Sequence, residues 1–273
     1  MEQLSTNIQL IDSHAHLDFE NFDGDREAVI QNAQLAGVVA IINIGIDFET
    51  RKRAIALAEA YPLIYATVGI HPHDAAGVIE SDWRQLEALI AHPKVVAIGE
   101  IGLDYFRTYA PRDVQMQVLQ RQLELAVQYR KPVVIHTRHA WPDILPIFTA
   151  TYRRKLTGVF HCFSGSENEA KAILDAGYFI SFTGVVTFKN ATALKIAANH
   201  VPLDRLLLET DCPFMAPEPF RGRRCEPAYL PYIAQKIADA KAMSLAEIAE
   251  QTTRNVTTLF GISLKKDQPG RSN

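Results

Sequence analysis

Short runs of apolar, often β-branched residues recur along the chain, and each of them predicts a buried strand. The runs are continuous rather than alternating, as expected for parallel strands whose two faces are both covered. Between them lie segments in which apolar residues recur with the period of an amphipathic helix. The eight predicted strands span residues 9–11, 38–43, 63–68, 94–98, 132–135, 158–160, 178–181 and 205–208.

The segments between the predicted strands carry signals for the start and the end of helices. Ser166 with Glu169, and Ser244 with Glu247, fit the capping box that begins many helices. Gly37 stands where a helix-ending glycine is expected. The helices predicted from the apolar period span residues 25–36, 50–59, 82–91, 113–130, 167–175 and 191–199.

The alternation of eight strands with helices indicates repeated strand–helix units and predicts an α/β fold, the TIM (β/α)8 barrel. The chain has 273 residues, and such barrels typically need ~250. A doubly wound open sheet is the alternative, but it usually carries a glycine-rich loop after its first strand, and IDSHAHLD is no such loop. We expect a single domain over residues 1–264, followed by a disordered tail at 265–273.

The charge balance argues against a protein that wraps long duplex nucleic acid by bulk electrostatics. The chain has 28 Lys and Arg against 31 Asp and Glu, a formal net charge of −3, although a local basic patch is compatible with this balance. The odd number of cysteines, three, argues against a disulfide framework and for a reducing compartment. No secretory or membrane segment is recognisable, so we predict a cytoplasmic protein without a membrane partner.

Residues that can bind metals stand where the predicted strands end. In a barrel the carboxyl ends of all strands open onto one face, so these residues would converge. Any single histidine could instead be an ordinary packed or surface residue. His14 and His16 are stronger candidates, because a spacing of two along a strand puts both rings on one side. The full set is His14, His16, His71, His73, Glu100, Asp104, His136, His161, Glu209 and Asp211.

The segments around these residues include IDSHAHLD, VGIHPHDA, VVAIGEIGLDY, PVVIHTRHA, HCFSGS, GYFISFTG and LLLETDCPFMAP. Together and in this order they resemble the TatD family of metal-dependent deoxyribonucleases, within the amidohydrolase superfamily. The resemblance covers the chain from Leu10 to about Ile262. It implies a distorted TIM barrel with a two-metal site.

The resemblance also implies a set of ligands for two divalent cations. The first ion would be held by His14, His16, Glu100 and Asp211, and the second by Glu100, His136 and His161. Glu100 would bridge the ions, in place of the carboxylated lysine of many amidohydrolases. Glu209 either helps to bind a third ion or supports the ligands. A mixed histidine and carboxylate site leaves the metal open among Mg, Mn, Zn, Ni and Co.

Two neighbouring ions lower the pKa of a water molecule and polarise a phosphoryl oxygen during in-line attack. In this scheme Glu100 holds the pair of ions together, and Asp211 also accepts the proton of the attacking water. His71 is a further catalytic candidate, for contact with a phosphate or the leaving oxygen, and His73 is a candidate for substrate binding. Both of these histidines could instead have a structural role.

Cationic and aromatic residues in the predicted loops favour an anionic substrate with bases. Arg138, Arg221 and Arg223 are the expected phosphate contacts, in a basic set that also includes Arg107, Arg112, Lys189 and Arg224. Unpaired bases would stack on neighbouring rings, which favours single strands or frayed ends over intact duplex. Most of the candidate rings are expected to be packing residues; they are Phe19, Phe22, Tyr105, Phe106, Trp141, Phe163, Phe188 and Phe220.

The resulting hypothesis is a metal-dependent deoxyribonuclease, and the family resemblance implies a 3′-5′ exonuclease acting on single-stranded or frayed DNA. Two alternatives stay open: hydrolysis of a small amide, lactone or phosphoester, and a metal-bearing scaffold without activity. The chain departs from the family pattern at Cys212 and Cys225, where a serine and an asparagine are usual. Both, like Cys162, are expected to be small buried residues, although a thiolate near a metal could change metal preference.

Overall fold

A computed structural model describes residues 8–264, and it confirms the predicted TIM-barrel architecture. The strands are β1 (Leu10–Ala15), β2 (Val38–Gly45), β3 (Ile64–Val68), β4 (Val95–Asp104), β5 (Val133–Arg138), β6 (Gly158–Phe160), β7 (Phe179–Phe182) and β8 (Leu206–Leu208). They pair in chain order, each parallel to the next. The predicted tail at 265–273 lies outside the described residues, so that domain boundary stays a prediction.

The ring of strands is nearly closed by contacts between β1 and the residues that follow β8. The N–H of Asp211 donates to the carbonyl of His14 at 2.9 Å. The buried carboxylate of Asp12 accepts hydrogen bonds from the N–H and the hydroxyl of Thr210, at 3.0 and 2.5 Å. The two ends of the sheet are therefore joined at the level of two predicted ligands, His14 and Asp211.

Three strands continue by three or more residues past the apolar runs that predicted them. β1, β4 and β5 each extend further toward their carboxyl ends than the pattern indicated. The hydrogen bonds of a parallel ladder join main-chain groups, so a strand can continue through polar residues that a hydropathy pattern assigns to a loop. His14, Glu100 and His136 consequently lie within strands.

The helices surround the strands, and the six predicted ones are all present, with ends within two residues of the prediction. They are α1 (Arg26–Leu35), α2 (Phe48–Ala60), α3 (Glu80–Ile90), α4 (Arg112–Tyr129), α6 (Glu167–Asp175) and α7 (Thr192–His200). Three further helices lie outside these six: α5 (Trp141–Pro146), α8 (Leu230–Lys241) and α9 (Leu245–Phe260), and α9 begins after Ser244, whose predicted capping box with Glu247 is present. α5 is too short to show a helical period. Within residues 8–264, no helix has the length and apolar character that crossing a bilayer requires.

The barrel interior is filled by residues near the amino ends of the strands. Their shared buried cluster also includes residues from the carboxyl-terminal part of α9. Because these strand residues contact α9, that helix covers the amino end of the barrel, and the polar strand ends lie at the opposite mouth. Members of the cluster include Ile11, Ile42, Val96, Val134, Val159, Phe179 and Leu207 from the strands, and Val256, Leu259 and Phe260 from α9.

Candidate active site

The alternation of side chains along the strands carries several predicted ligands into the barrel. Val134 belongs to the interior cluster, and His136 follows it by two residues, on the same side of β5. His161, directly after β6, likewise follows the interior residue Val159 by two positions. Because side chains alternate along a strand, a polar residue two positions after an inward-facing apolar residue also faces inward, at the mouth of the barrel.

The first group of predicted ligands lies where β1 meets the end of β8. The Nε2 atoms of His14 and His16 are 3.2 Å apart, and each is 3.5 Å from Oδ1 of Asp211. Main-chain hydrogen bonds hold this group. The Asp211 N–H donates to the His14 carbonyl, and the His16 N–H donates to the Cys212 carbonyl, both at 2.9 Å.

Glu100 connects this group to a second one on β5 and β6. Its Oε2 lies 3.4 Å from Nε2 of His14. Its Oε1 lies 2.7 Å from Nδ1 of His136 and also 2.7 Å from Nε2 of His161. Those two nitrogens are 3.4 Å apart. The two oxygens of one carboxylate therefore face separate sets of nitrogen donors, as a bridging ligand requires.

A glycine allows β4 and β5 to lie this close beside Glu100. Gly102 has a φ of 154°, in the region that disfavours other residues. A Cβ placed there would collide with the carbonyl oxygen of His136 on the neighbouring strand. A larger residue would force the strands apart, so Gly102 helps to set the distance between Glu100 and His136.

Charge and burial at the cluster match the chemistry of a divalent metal site. Burial alone would raise the pKa of Glu100, but His161, His71 and His136 hold it well below its ordinary value. Burial would lower the pKa of His161, yet Glu100 and Glu209 raise it well above its ordinary value. A buried set of imidazole nitrogens and ionised carboxylates is the donor set that Zn²⁺ and related divalent ions take.

In two of these rings, the hydrogen bond made by one nitrogen shows that the other nitrogen is free to bind a metal. Nδ1 of His16 lies 3.2 Å from the carbonyl oxygen of Ile44, which requires the proton on Nδ1 and leaves the Nε2 lone pair facing the cluster. Nε2 of His136 lies 3.2 Å from Oδ2 of Asp104, which leaves its Nδ1 facing the cluster. Metal-binding histidines usually donate their other N–H to a carbonyl or carboxylate in this way.

His71 differs from these residues in the atom that it presents to the cluster. Its Nδ1 accepts the backbone N–H of His73 at 3.2 Å, so the neutral ring carries its proton on Nε2. That Nε2 lies 3.5 Å from Oε1 of Glu100. Burial lowers the pKa of His71 to about 4. His71 is therefore a neutral hydrogen-bond donor, which suits contact with an anionic oxygen better than metal binding.

Asp104, to which the sequence assigned no role, organises the side of the cluster near β4 and β5. Its Oδ2 lies 2.8 Å from Nε2 of His73 and 3.2 Å from Nε2 of His136. Its Oδ1 accepts the N–H groups of Phe106 and Arg107, both at 2.9 Å. Burial would raise the pKa of Asp104, but the hydrogen bonds, first that of His136, hold it well below its ordinary value. The only signal in the sequence was the acidic residue next to last in GEIGLDY.

Glu209 is fully buried, and protein donors occupy both of its oxygens. Oε1 accepts the Cys162 N–H at 2.6 Å, and Oε2 accepts the Ser181 hydroxyl at 2.7 Å. Oε1 also lies 3.6 Å from Nδ1 of His161. Of the two interpretations that the sequence left open, the occupation of both oxygens by protein donors favours a supporting role in the site over the binding of a third ion.

The predicted phosphate contacts Arg138, Arg221 and Arg223 are all exposed. The guanidinium of Arg138 lies 4.0 Å from the ring centre of Phe106 on the β4–α4 loop. Arg224 differs from them, because it makes hydrogen bonds of 2.6 and 2.8 Å to the carboxylate of Asp25. Its charge is largely neutralised by that pairing.

The rings that the sequence singled out for base stacking include several that are packed in the core. Phe22 and Phe163 are buried, with 0% and 2% of their surface exposed. Among residues 8–264 the exposed aromatic side chains are Phe106, Tyr109 and Phe214. Tyr109 and Phe214 were missed, because a sequence pattern cannot distinguish a ring in solvent from a ring in a core.

Cys212 and Cys225, where the chain departs from the expected pattern, are both buried. Burial raises the pKa of the Cys212 thiol well above its ordinary value. Among the described residues, the groups of donor atoms close enough together to hold one ion consist of histidines and carboxylates and include neither thiol. Cys162 was expected to be buried as well, but it is only partly so, and its Sγ lies 3.4 Å from Sδ of Met215.

Eight parallel strands that collect histidines and carboxylates at their carboxyl ends define a class, the α/β-barrel hydrolases that depend on metals. A family model described as TatD related DNase matches residues 11–261. The chain therefore belongs to the TatD family of metal-dependent hydrolases.

Relatives cover nearly the whole chain. It is 44% identical over 254 residues to the uncharacterized metal-dependent hydrolase YabD of Bacillus subtilis, with 93% of this chain and 100% of that protein covered. It is 34% identical over 260 residues to the 3′-5′ ssDNA/RNA exonuclease TatD of Pectobacterium atrosepticum, with 93% and 100% covered. The crystal structure of YjjV, a TatD homolog from Escherichia coli K12, has a TM-score of 0.88 and 34% identity, covering 93% of this chain and 98% of that chain.

Proposed function

We propose that this protein is a metal-dependent nuclease that removes nucleotides from the 3′ end of single-stranded or frayed DNA. The observation that carries the proposal is that the two oxygens of Glu100 face two groups of donors. A pair of neighbouring cations suits a phosphodiester, because it stabilises both the attacking and the leaving oxygen of an in-line displacement. The exonuclease name of the Pectobacterium relative supports the substrate and the polarity.

We assign ligands for two divalent ions from the donor groups. The first ion would be held by His14, His16, Asp211 and one oxygen of Glu100, and the second by the other oxygen of Glu100 with His136 and His161. When bound, the ions would supply Lewis-acid activation of a water molecule and of the phosphoryl group. Mg, Mn, Zn, Ni and Co all accept such a mixture of nitrogen and oxygen donors.

The proton transfers fall to side chains of the cluster. Hydrolysis joins the oxygen of water to phosphorus, breaks one ester bond, and leaves a proton on the departing oxygen. Burial alone would raise the pKa of Asp211, but His16 and His14 hold it below its ordinary value. Its ionised carboxylate would accept the proton of the attacking water. His71 would donate its Nε2–H to a phosphoryl oxygen or to the leaving oxygen.

Substrate phosphates beside the reacting one would contact the rim. Arg138, Arg221 and Arg223 supply exposed positive charge in a chain whose net charge is −3. His73 is the partly exposed neighbour of His71, with ring centres 4.3 Å apart, so it would meet the strand next to the scissile bond. Local positive charge of this kind attracts an anionic strand without binding duplex along its length.

The proposal is tested with single-stranded DNA labelled at its 5′ end. With Mg²⁺ or Mn²⁺ the purified protein should shorten the strand stepwise from the 3′ end, and EDTA should stop the reaction. Asp211→Asn, which keeps the size of the side chain, should abolish shortening while the circular dichroism spectrum stays unchanged. Parallel reactions with RNA and with blunt duplex would define the preference. Cleavage of small esters or amides without shortening of any strand would overturn the proposal.

A further inference from the structure

Phe106, Tyr109 and Phe214 form an aromatic rim around the cluster. These rings are 49%, 62% and 50% exposed, and they are the aromatic members of the large apolar side chains exposed in residues 8–264. Single exposed apolar residues are ordinary, so these rings indicate binding through their shared place at the mouth and not as one continuous apolar patch. Phe106 and Tyr109 belong to the loop after β4, and Phe214 follows β8, so all three lie at the polar mouth.

The aromatic rim lies at the two ends of a row of imidazoles. The ring centre of Phe214 is 6.4 Å from that of His16, and the ring centre of Tyr109 is 4.8 Å from that of His73. β4 and β8 are four strands apart in a ring of eight, so Tyr109 and Phe214 lie on opposite sides of the mouth. The row between them runs through His16, His14, His161, His136, His71 and His73, with successive ring centres 4.0 to 5.6 Å apart.

Positive charge accompanies the rings on the side of β4. The guanidinium of Arg138 lies 4.0 Å from the ring centre of Phe106, and that of Arg107 lies 5.8 Å from it. A ring beside a guanidinium offers both contacts that a nucleotide needs, a face for the base and a partner for the phosphate. This complementarity identifies the occupant as a nucleic acid strand rather than an apolar peptide.

We propose that a single strand crosses the mouth with unpaired bases on either side of the reacting phosphodiester, one stacked on Phe214 and another on Phe106 and Tyr109. The inference rests on the proposed nuclease function and adds the groups that recognise unpaired bases. Every base has a face that can stack, so binding is independent of sequence. Paired bases stack on each other and do not offer these faces, so intact duplex is excluded.

The aromatic rim is tested by comparing two oligonucleotides of equal length and charge, one of thymidine and one of abasic sites. Phosphorothioate linkages prevent hydrolysis, and fluorescence anisotropy measures Kd with the metal-loaded protein. Phe214→Ala and Tyr109→Ala should each weaken binding of the thymidine strand by roughly 5- to 150-fold and leave binding of the abasic strand within about twofold. Leu35→Ala is the matched control, since Leu35 is 87% exposed at the end of α1, away from the mouth.

Two further variants distinguish the loss of base stacking from the loss of apolar contact surface. Phe214→Trp should restore binding of the thymidine strand, and its added indole fluorescence should be quenched by that strand and not by the abasic one. Phe214→Leu, which keeps an apolar side chain without a ring, should behave like the alanine variant. Equal weakening of both oligonucleotides, or no weakening of either, would overturn the inference.

The remaining outcomes assign a failure to one proposal or the other. If the wild-type protein shortens no strand with any metal, the nuclease proposal fails. If it shortens single strands but Phe214→Ala and Tyr109→Ala keep the wild-type Kd for both oligonucleotides, only the aromatic rim is refuted. Sedimentation of the same variants gives one more test, because a dimer that dissociates in Phe214→Ala with Kd unchanged would make the rim an interface between copies and overturn the inference.

Discussion

The two halves of the barrel mouth hold their histidines by different means. Where β1 meets the end of β8, main-chain hydrogen bonds of His16 and Asp211 fix the donor groups, each at 2.9 Å. On the opposite half, the carboxylate of Asp104 orients His73 and His136 through side-chain hydrogen bonds of 2.8 and 3.2 Å. Closure of the barrel fixes the donor groups of the first half, whereas the side chain of Asp104 orients the histidines of the second half.

This difference determines how each half should respond to substitution. A main-chain group cannot be removed by changing a side chain, so the β1–β8 half should lose function mainly when a ligand itself is changed. In the β4–β5 half, Asp104 is not an assigned metal ligand, but it orients two histidines, His73 and His136. Substitutions beside the ligands therefore distinguish the halves better than substitutions of the ligands.

Among the substitutions that compare the halves, the largest effect is expected from Glu100→Gln, because Glu100 is the side chain that joins the halves. An amide offers one neutral oxygen where the carboxylate offered two charged ones, so bridging is lost. Strand-shortening activity should fall by about 10³-fold or more, a few kcal/mol of lost stabilisation, and the metal content measured by mass spectrometry should fall with it. Glu80→Gln, at an exposed ion pair with Arg121, is the control and should keep both. Full activity in Glu100→Gln would refute the bridging role.

Asp104→Asn and Asp12→Asn test the comparison directly. Both remove a buried carboxylate beside a predicted ligand, but Asp12 binds Thr210 and the backbone. Asp104→Asn should weaken metal binding about 10–100-fold in a calorimetric titration with little change in Tm. Asp12→Asn should lower stability by about 1–3 kcal/mol with little change in metal affinity. Equal losses of metal affinity would show that the halves do not differ in this way.

Glu209→Gln tests whether Glu209 is a metal ligand or a residue that supports the ligands. Its carboxylate accepts hydrogen bonds through both oxygens, and the amide nitrogen of Gln would oppose one of these donors. The free energy of unfolding should fall by about 1–3 kcal/mol, measured by urea denaturation. The number of ions per chain should equal that of the wild type. Loss of one ion in the variant would instead make Glu209 a ligand.

The smallest effects are expected at the arginines of the rim, one on each half of the mouth. Arg138→Ala and Arg221→Ala should each raise KM for single-stranded DNA a few-fold, because each removes one phosphate contact. The slope of log KM against log salt concentration should become shallower by about one unit in each variant. The control is Arg121→Ala, because the guanidinium of Arg121 is paired with Glu80 away from the rim. This variant should leave the slope unchanged. An equal change of slope in it would show that the net charge of the protein, and not a phosphate contact, sets the salt dependence.

The interior positions of His136 and His161 could be predicted, because each follows an inward apolar residue by two positions. The extent of β1, β4 and β5 could not, since hydropathy changes at the polar residues while main-chain pairing continues. The role of Asp104 was also missed. Its partners come from β5 and from the turn after β3, and no local pattern indicates which side chains will be neighbours across strands.

The sequence by itself determined the number and order of the strands, six of the helices and the kinds of residue at the strand ends, because strand and helix periods are local properties of the chain. Tertiary structure alone decided which oxygen of Glu100 faces which histidine, which nitrogen of His136 faces Glu100, and which rings remain exposed. Those features depend on closure of the barrel, since hydrogen-bond partners and solvent exposure are set by residues distant in sequence.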